Sequence, residues 1–215
     1  MPRRSLKANL SGFIRSLNES RRLATDAYNW ASPGSGAKRA MISLQRRDSL
    51  TELAFLRAFL AWETFVEGSF VLYLVGQKPP RGSAPHRYTF PPSLKVAMEW
   101  VIPEGRKYAT WTVASEVSQR AERFFRGGSP VAPALRSHQN ALDESRLLRN
   151  AIAHASASAQ QKFENLVRQK IGVLPPKLTV GAFLGTIMPK SSPPTTFLEH
   201  YLAKIELAAR QIVPV

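Results

Sequence analysis

Residues 53–75, LAFLRAFLAWETFVEGSFVLYLV, are the most apolar stretch of the chain, and either a membrane span or a buried helix would account for them. A membrane span of this length is argued against by Arg57, Glu63 and Glu67, which interrupt it, because charges are costly in hydrocarbon. A buried helix fits better. From about Leu50 to Gly76, residues Leu53, Leu56, Phe59, Leu60, Trp62, Phe65, Val66 and Phe70 leave only a narrow polar face. That pattern predicts the central helix of a bundle. Asp48 or Ser49 is placed to cap its start.

Outward from this stretch, Pro and Gly breaks separate further helical segments. An amphipathic helix is expected over 4–29, ended by the turn Pro33-Gly34-Ser35-Gly36. Later helices are expected over 93–101, 111–126, 133–158, 162–171 and 197–213, with a short apolar piece at 181–188. Residues 77–92 are rich in Pro, Gly and basic side chains and read as a loop. Val173-Leu174 and Leu178-Thr179-Val180 suggest one short extended pairing. No repeat and no strand-rich section is present. The class is all-α, a helical bundle with additional N- and C-terminal helices. By position the chain divides into a basic helical extension (1–47), a bundle core (48–172) and a C-terminal helical element packing on that core (173–215).

Composition narrows the function. The 215 residues suffice for one well-filled domain. There are 30 Lys and Arg against 15 Asp and Glu, a net charge of +15. A polyanion is the natural partner for such a chain, since counterion release drives basic proteins onto phosphate backbones. The first 47 residues alone hold ten basic side chains, among them Arg3, Arg4, Lys38, Arg46 and Arg47, against Glu19 and Asp26. In the 77–92 loop, Tyr88 and Phe90 stand among Arg81, His86 and Arg87, a mixture suited to base stacking and phosphate contact. Arg46, Arg47, Arg81, Arg87 and Tyr88 are therefore the candidate RNA-binding residues.

The absence of cysteine excludes disulfides and thiol catalysis and fits a cytoplasmic location. His86, His138, His154 and His200 are scattered without metal-ligand spacing, and no cofactor is expected. The N-terminus has no continuous apolar region of the secretory kind. Residues 1–17 are rich in Arg and Ser without acids, as organellar transit segments are. Leu6, Leu10, Phe13, Ile14 and Leu17 nevertheless keep a helical stripe, and a packed helix is expected there.

One constellation carries chemistry: Arg149-Asn150-Ala151-Ile152-Ala153-His154. Arginine offers a permanent charge and a fork of donors for phosphate, and histidine exchanges protons near neutral pH. On a helix, Arg146, Asn150 and His154 form one stripe at four-residue spacing, with Arg149 beside it. Asn150 is placed to hydrogen-bond His154 and orient its ring. Leu148, Ile152 and Ala155 fall on the side facing a core or a partner helix, and the alanines permit close approach of a second helix. Glu63, on the polar face of the long helix, is a candidate supporting carboxylate, as is Arg146 a supporting cation. Spacing alone leaves a structural histidine open.

The stretch LRNAIAHAS (148–156 with Leu148 first) resembles the R-x4-H signature of HEPN-domain ribonucleases, including the asparagine that often follows the arginine. LRAFLAWETFVEGSFVLYLVG resembles the long early helix of the RiboL-PSP-type HEPN group. YATWTVASEVSQRAERFFRGGSP is similar to the segment before its motif helix, and FENLVRQKIGVLPPKLTVGAFL to its tail. Together these cover roughly residues 48–212; the basic N-terminal stretch has no counterpart. The resemblance implies a HEPN-like bundle that dimerises through the motif helix and cuts RNA without a metal. Arg149 and His154 would be catalytic, with Asn150 as their polar neighbour, and RNA and a second copy as partners. It also implies a defence, toxin or stress role, in which an antitoxin or regulatory partner is expected. Two alternatives stay open: a non-catalytic HEPN module binding RNA or protein, and a helical adaptor whose charge binds acidic surfaces.

Overall fold

The computed structural model describes residues 5–33, 39–154 and 156–215. Arg3, Arg4, Lys38, Ala155 and the expected turn from Gly34 to Gly36 lie outside the described residues. Among those described, the chain is all-helical, with nine α-helices and no strand. They are α1 (Leu6–Ala31), α2 (Leu44–Leu74), α3 (Leu94–Trp100), α4 (Ala114–Phe124), α5 (Val131–Ser137), α6 (Gln139–Ala153), α7 (Ala157–Ile171), α8 (Val180–Gly185) and α9 (Phe197–Ile212). No helix is long and apolar enough to cross a membrane, among the described residues.

Side-chain hydroxyls set most of the helix starts. Ser5, Ser43, Ser93, Ser156, Thr179 and Thr196 each accept the backbone N–H three residues on, at 3.0–3.3 Å. Each bond satisfies one of the N–H groups that a first turn leaves without an intrahelical acceptor. The capping residue of α2 is thus Ser43, not Asp48 or Ser49, and the helix begins six residues before the apolar pattern does. Asp48 instead accepts from Arg47 at 2.6 and 2.8 Å.

The helix expected over 133–158 is three pieces. His138 closes α5 with φ −122° and ψ 15°, and α6 follows. Ser156 adopts the extended conformation (φ −96°, ψ 143°) and caps α7. A serine at that position stabilises a new helix start better than it continues the old one. The pairing expected at 173–180 does not form: Thr179 caps α8, and the isolated bridges among the described residues join Arg87 to Phe125 and Ile187 to Thr196.

Contacts group the chain into two units, interleaved along the sequence. The first comprises 1–15, 61–143 and 204–215; the second comprises 16–60 and 144–203. The first unit is centred on the later part of α2. Phe13 stacks on Phe65 with ring centres 5.1 Å apart, and Phe70 meets Trp111, Phe124 and Phe125 edge-on at 5.1–5.9 Å. Tyr73, fully buried, donates to the carbonyl of Ile212 at 2.7 Å, and burial pushes its phenol above the ordinary range.

The second unit is built around a run of rings. Phe163, Phe183, Phe197, Tyr201, Phe55 and Phe59 follow one another at 4.4–6.5 Å, and all are buried. Ion pairs of Arg21 with Glu199 and of Arg57 with Glu19 lie at its surface. α8 packs flush on the start of α2: a Cβ on Gly181 would sit 2.1 Å from the carbonyl oxygen of Asp48. Only glycine fits there.

Two glycines therefore predict opposite effects. Gly181→Ala drives a methyl into a backbone atom that cannot rotate away, and is expected to cost at least the ~1–3 kcal/mol of an overpacked core. Gly12, exposed in α1 with open space around its Cα, should gain roughly 0.5–1 kcal/mol when changed to Ala. Urea unfolding followed by circular dichroism measures both.

Candidate active site

The motif helix is anchored in the second unit by a shared carboxylate. Glu144, near the middle of α6, accepts from the Tyr201 hydroxyl at 2.9 Å and from Lys170 Nζ at 2.7 Å. Burial first, and the adjacent Glu144 charge second, hold the Tyr201 phenol well above its ordinary range, so it stays a donor. One turn on, Leu148 is fully buried and so is Ser145. This fixes the rotation of α6 and leaves Arg149, Asn150, Ala151 and Ile152 half-buried, with Ala153 and His154 exposed.

His154 follows the last helical residue. Its N–H donates to the Asn150 carbonyl at 2.9 Å, which closes the final turn. The ring follows the end of α6 and precedes the Ser156 cap of α7, rather than lying in the middle of a continuous helix. Arg149 Nη1 lies 3.4 Å from His154 Nε2 and 3.2 Å from Asn150 Oδ1. Arginine cannot accept, so a hydrogen bond at this contact requires Nε2 to present its lone pair. The Asn150 side chain thus orients Arg149 directly and His154 only through it. Among the described residues, Nε and Nη2 of Arg149 have no partner.

Arg146, one turn before Asn150, is half-buried; its Nε is shut off from solvent and meets no acceptor among the described residues. Glu63 is half-buried and belongs to the first unit, whereas Arg146, Arg149, Asn150 and His154 belong to the second. No three His, Cys, Asp or Glu side chains converge as metal ligands would, among the described residues.

The candidate RNA-binding residues separate into two kinds. Arg47 is engaged inside the second unit: it pairs with Asp48 and lies 4.8 Å over the Tyr28 ring. Arg87 is engaged inside the first, donating to the Leu74 carbonyl at 2.9 Å with its guanidinium 4.8 Å from the Phe90 ring centre. Arg46, Arg81 and Tyr88 are exposed. The structure adds a residue the sequence did not single out. Arg126 donates its N–H to the His86 carbonyl at 3.0 Å, which brings an exposed arginine beside the loop from forty positions away. No local pattern announces such a pairing. No protein-family model matches the sequence, and no curated protein or solved structure matches it either.

A second half-buried carboxylate lies beside Asp48. Glu52 Oε1 accepts the Gly181 N–H at 2.9 Å, at the start of α8. Burial raises its pKa, the Gly181 bond lowers it in part, and the Asp48 charge raises it again. With the folded value above the unfolded one, the folded state holds the proton longer, so stability falls as pH rises through that window. Glu52→Gln keeps the acceptor without the charge. The variant is expected to be at least as stable as the parent at neutral pH, with the gap closing in acid. A large loss of stability at pH 7 in urea unfolding would show that the ionised carboxylate stabilises the fold.

Proposed function

We propose that this protein is a HEPN-like endoribonuclease, cutting RNA without a metal at a composite site formed when two copies meet through the motif helix. The observation that carries the proposal is the juxtaposition of Arg149 and His154: 3.4 Å between Nη1 and Nε2, on an exposed helix end, with the remaining arginine donors open among the described residues. The net charge of +15 supports a polyanionic substrate. Half-buried Ile152 and the small side chains of Ala151 and Ala153 support a second helix packing alongside.

In this mechanism Arg149 turns its open Nε and Nη2 edge to two oxygens of the scissile phosphate. The phosphate draws the guanidinium off His154, and Nε2 becomes free to take the proton of the ribose 2′-hydroxyl. The 2′-oxygen bonds to phosphorus as the bond from phosphorus to the 5′-oxygen breaks. The same histidine of the second copy, protonated, supplies the proton that the leaving oxygen needs. The products are a 2′,3′-cyclic phosphate and a 5′-hydroxyl end. Both arginines offset the charge that builds on the phosphoryl oxygens. DNA, lacking the 2′-hydroxyl, is not a substrate. A defence, toxin or stress role, with an antitoxin or regulatory partner covering the helix end, accords with such an activity.

One observation favours a second reading, a non-catalytic module that binds RNA or protein through this surface. Nε2, the atom that must accept the proton, is already met by Arg149. If that pair is the working state, the two side chains form a binding surface only.

The deciding experiment incubates labelled single-stranded RNA with parent, His154→Ala and Arg149→Lys proteins in EDTA and analyses the product ends. Cleavage to cyclic phosphate ends is expected, reduced about 10²–10⁴-fold by His154→Ala and by roughly 10²-fold by Arg149→Lys. Equal cleavage by parent and His154→Ala refutes the assignment of His154. Binding without cleavage by a folded, dimeric parent establishes the module instead.

A further inference from the structure

We infer that residues 86–90 of the first unit form a stacking platform for single-stranded nucleic acid, a second site that uses neither Arg149 nor His154. The register of one bridge builds it. Tyr88 donates to the Phe124 carbonyl at 2.9 Å and Arg126 donates to the His86 carbonyl at 3.0 Å, so Arg87 stands directly opposite Phe125 in an antiparallel pair. Side chains alternate across such a segment and opposed residues share a face. Arg87 and Phe125 take the inner face, Phe125 fully buried. His86 and Tyr88, which flank Arg87, are exposed, as are Phe90 and Arg126, the latter standing opposite His86. Tyr88 and Phe90 are 53% and 68% exposed, and the His86 and Tyr88 rings lie 5.9 Å apart.

Rings this exposed on a loop would ordinarily be a liability, yet the loop is pinned from beneath. Arg87 ties it to the end of α2 through the Leu74 carbonyl and sets its guanidinium 4.8 Å from the Phe90 ring centre. Gly76, at φ +90°, leaves room for that guanidinium: a Cβ there would sit 2.8 Å from Arg87 Nη2. The Arg81 N–H is held by the Pro214 carbonyl at 3.1 Å. The rings are therefore held out in a fixed backbone, which lowers the ordering cost of stacking on them.

Charge points to the ligand. No acidic residue occurs between Gln77 and Ser93. Lys78, Arg81 and Arg126 are exposed, and none has an ion pair among the described residues. Unpaired cations around a row of exposed rings match a strand whose bases stack while its phosphates meet the arginines. A duplex, whose base faces are already stacked, offers only its charge. An acidic protein surface would use the cations and leave the rings idle.

The test is fluorescence anisotropy on the full chain with labelled single strands of about 12 nucleotides, as RNA and as its 2′-deoxy counterpart, and with a duplex of equal length. Single strands are expected to bind more tightly than duplex. Tyr88→Ala should weaken single-strand binding by about 5- to 150-fold, with Tyr88→Phe restoring it and duplex binding unmoved. Arg126→Gln should lower the slope of log affinity against log salt by about one. RNA preferred over its 2′-deoxy counterpart would identify RNA as the source of the strand, and equal affinity would identify single strands of either sugar. Unchanged single-strand binding in a folded Tyr88→Ala protein, or duplex binding as tight as single-strand binding, would reduce the surface to charge and overturn the proposal. The 2′-deoxy strand reports binding without any 2′-hydroxyl cleavage, so failure here leaves the ribonuclease reading standing, and uncut RNA leaves the platform standing.

Discussion

α2 is apolar on too many sides to be covered by one neighbour, and the rest of the fold answers that constraint. Its 31 residues put Ala54, Phe55, Ala58 and Phe59 into the core of one unit and Trp62, Phe65, Val66 and Phe70 into the core of the other. A helix with a single apolar stripe needs one partner; a helix apolar most of the way round must be enclosed. The amphipathic helices cover most of it by presenting narrow faces, Leu6, Leu10 and Phe13 of α1 in the first unit and Phe197, Leu198, Tyr201 and Leu202 of α9 in the second, while Leu53 and Leu60, expected in the apolar pattern, stay exposed. Both helices give residues to both units, which is why the units interleave along the sequence while composition and linkers divide it into consecutive blocks.

The basic excess is less uniform than a net charge suggests. Arg47 lies over Tyr28, Arg87 over Phe90 and Arg120 over Trp111, and each also donates inward, to Asp48 and to the carbonyls of Leu74 and Thr110. A guanidinium is weakly hydrated and planar, so it tolerates this half-buried stacking where a lysine would not. Sequence cannot tell such an arginine from one that awaits phosphate, because the deciding partner is a ring or a carbonyl brought by the fold. Arg46 and Arg47 are adjacent in the chain and have opposite environments.

Periodicity and breakers in the sequence located most of the helices, since burying an apolar face leaves a three-to-four-residue rhythm that no other structure needs. Boundaries were harder. The serine and threonine caps were legible in principle as hydroxyls three residues before a helical N–H, but Asp48 and Ser49 compete for the same role one turn late. The break before Ser156 had no apolar signature, because Ala-Ser-Ala-Ser suits helix and cap alike. Arg149, Asn150 and His154 were visible as a group because they are neighbours on one element. Arg126 beside His86 was not, because a bridge between two loops depends on the backbone path between them.

Ending α6 at Ala153 changes what the motif can do. In the middle of a helix, a histidine ring has a further turn of side chains above it, and its approach is confined to one face. After the last turn, the ring is exposed and Arg149 reaches it from the turn before. The arginine is then divided into two edges. Nη1 is held by Asn150 Oδ1 and faces Nε2, while Nε and Nη2 remain as a pair of parallel donors. That pair matches two oxygens of one phosphate, a geometry a lysine point charge lacks. Under the proposed mechanism, a phosphate on the open edge would draw the guanidinium off Asn150 Oδ1 and uncover Nε2 by the same movement, so binding and exposure of the base would be one event.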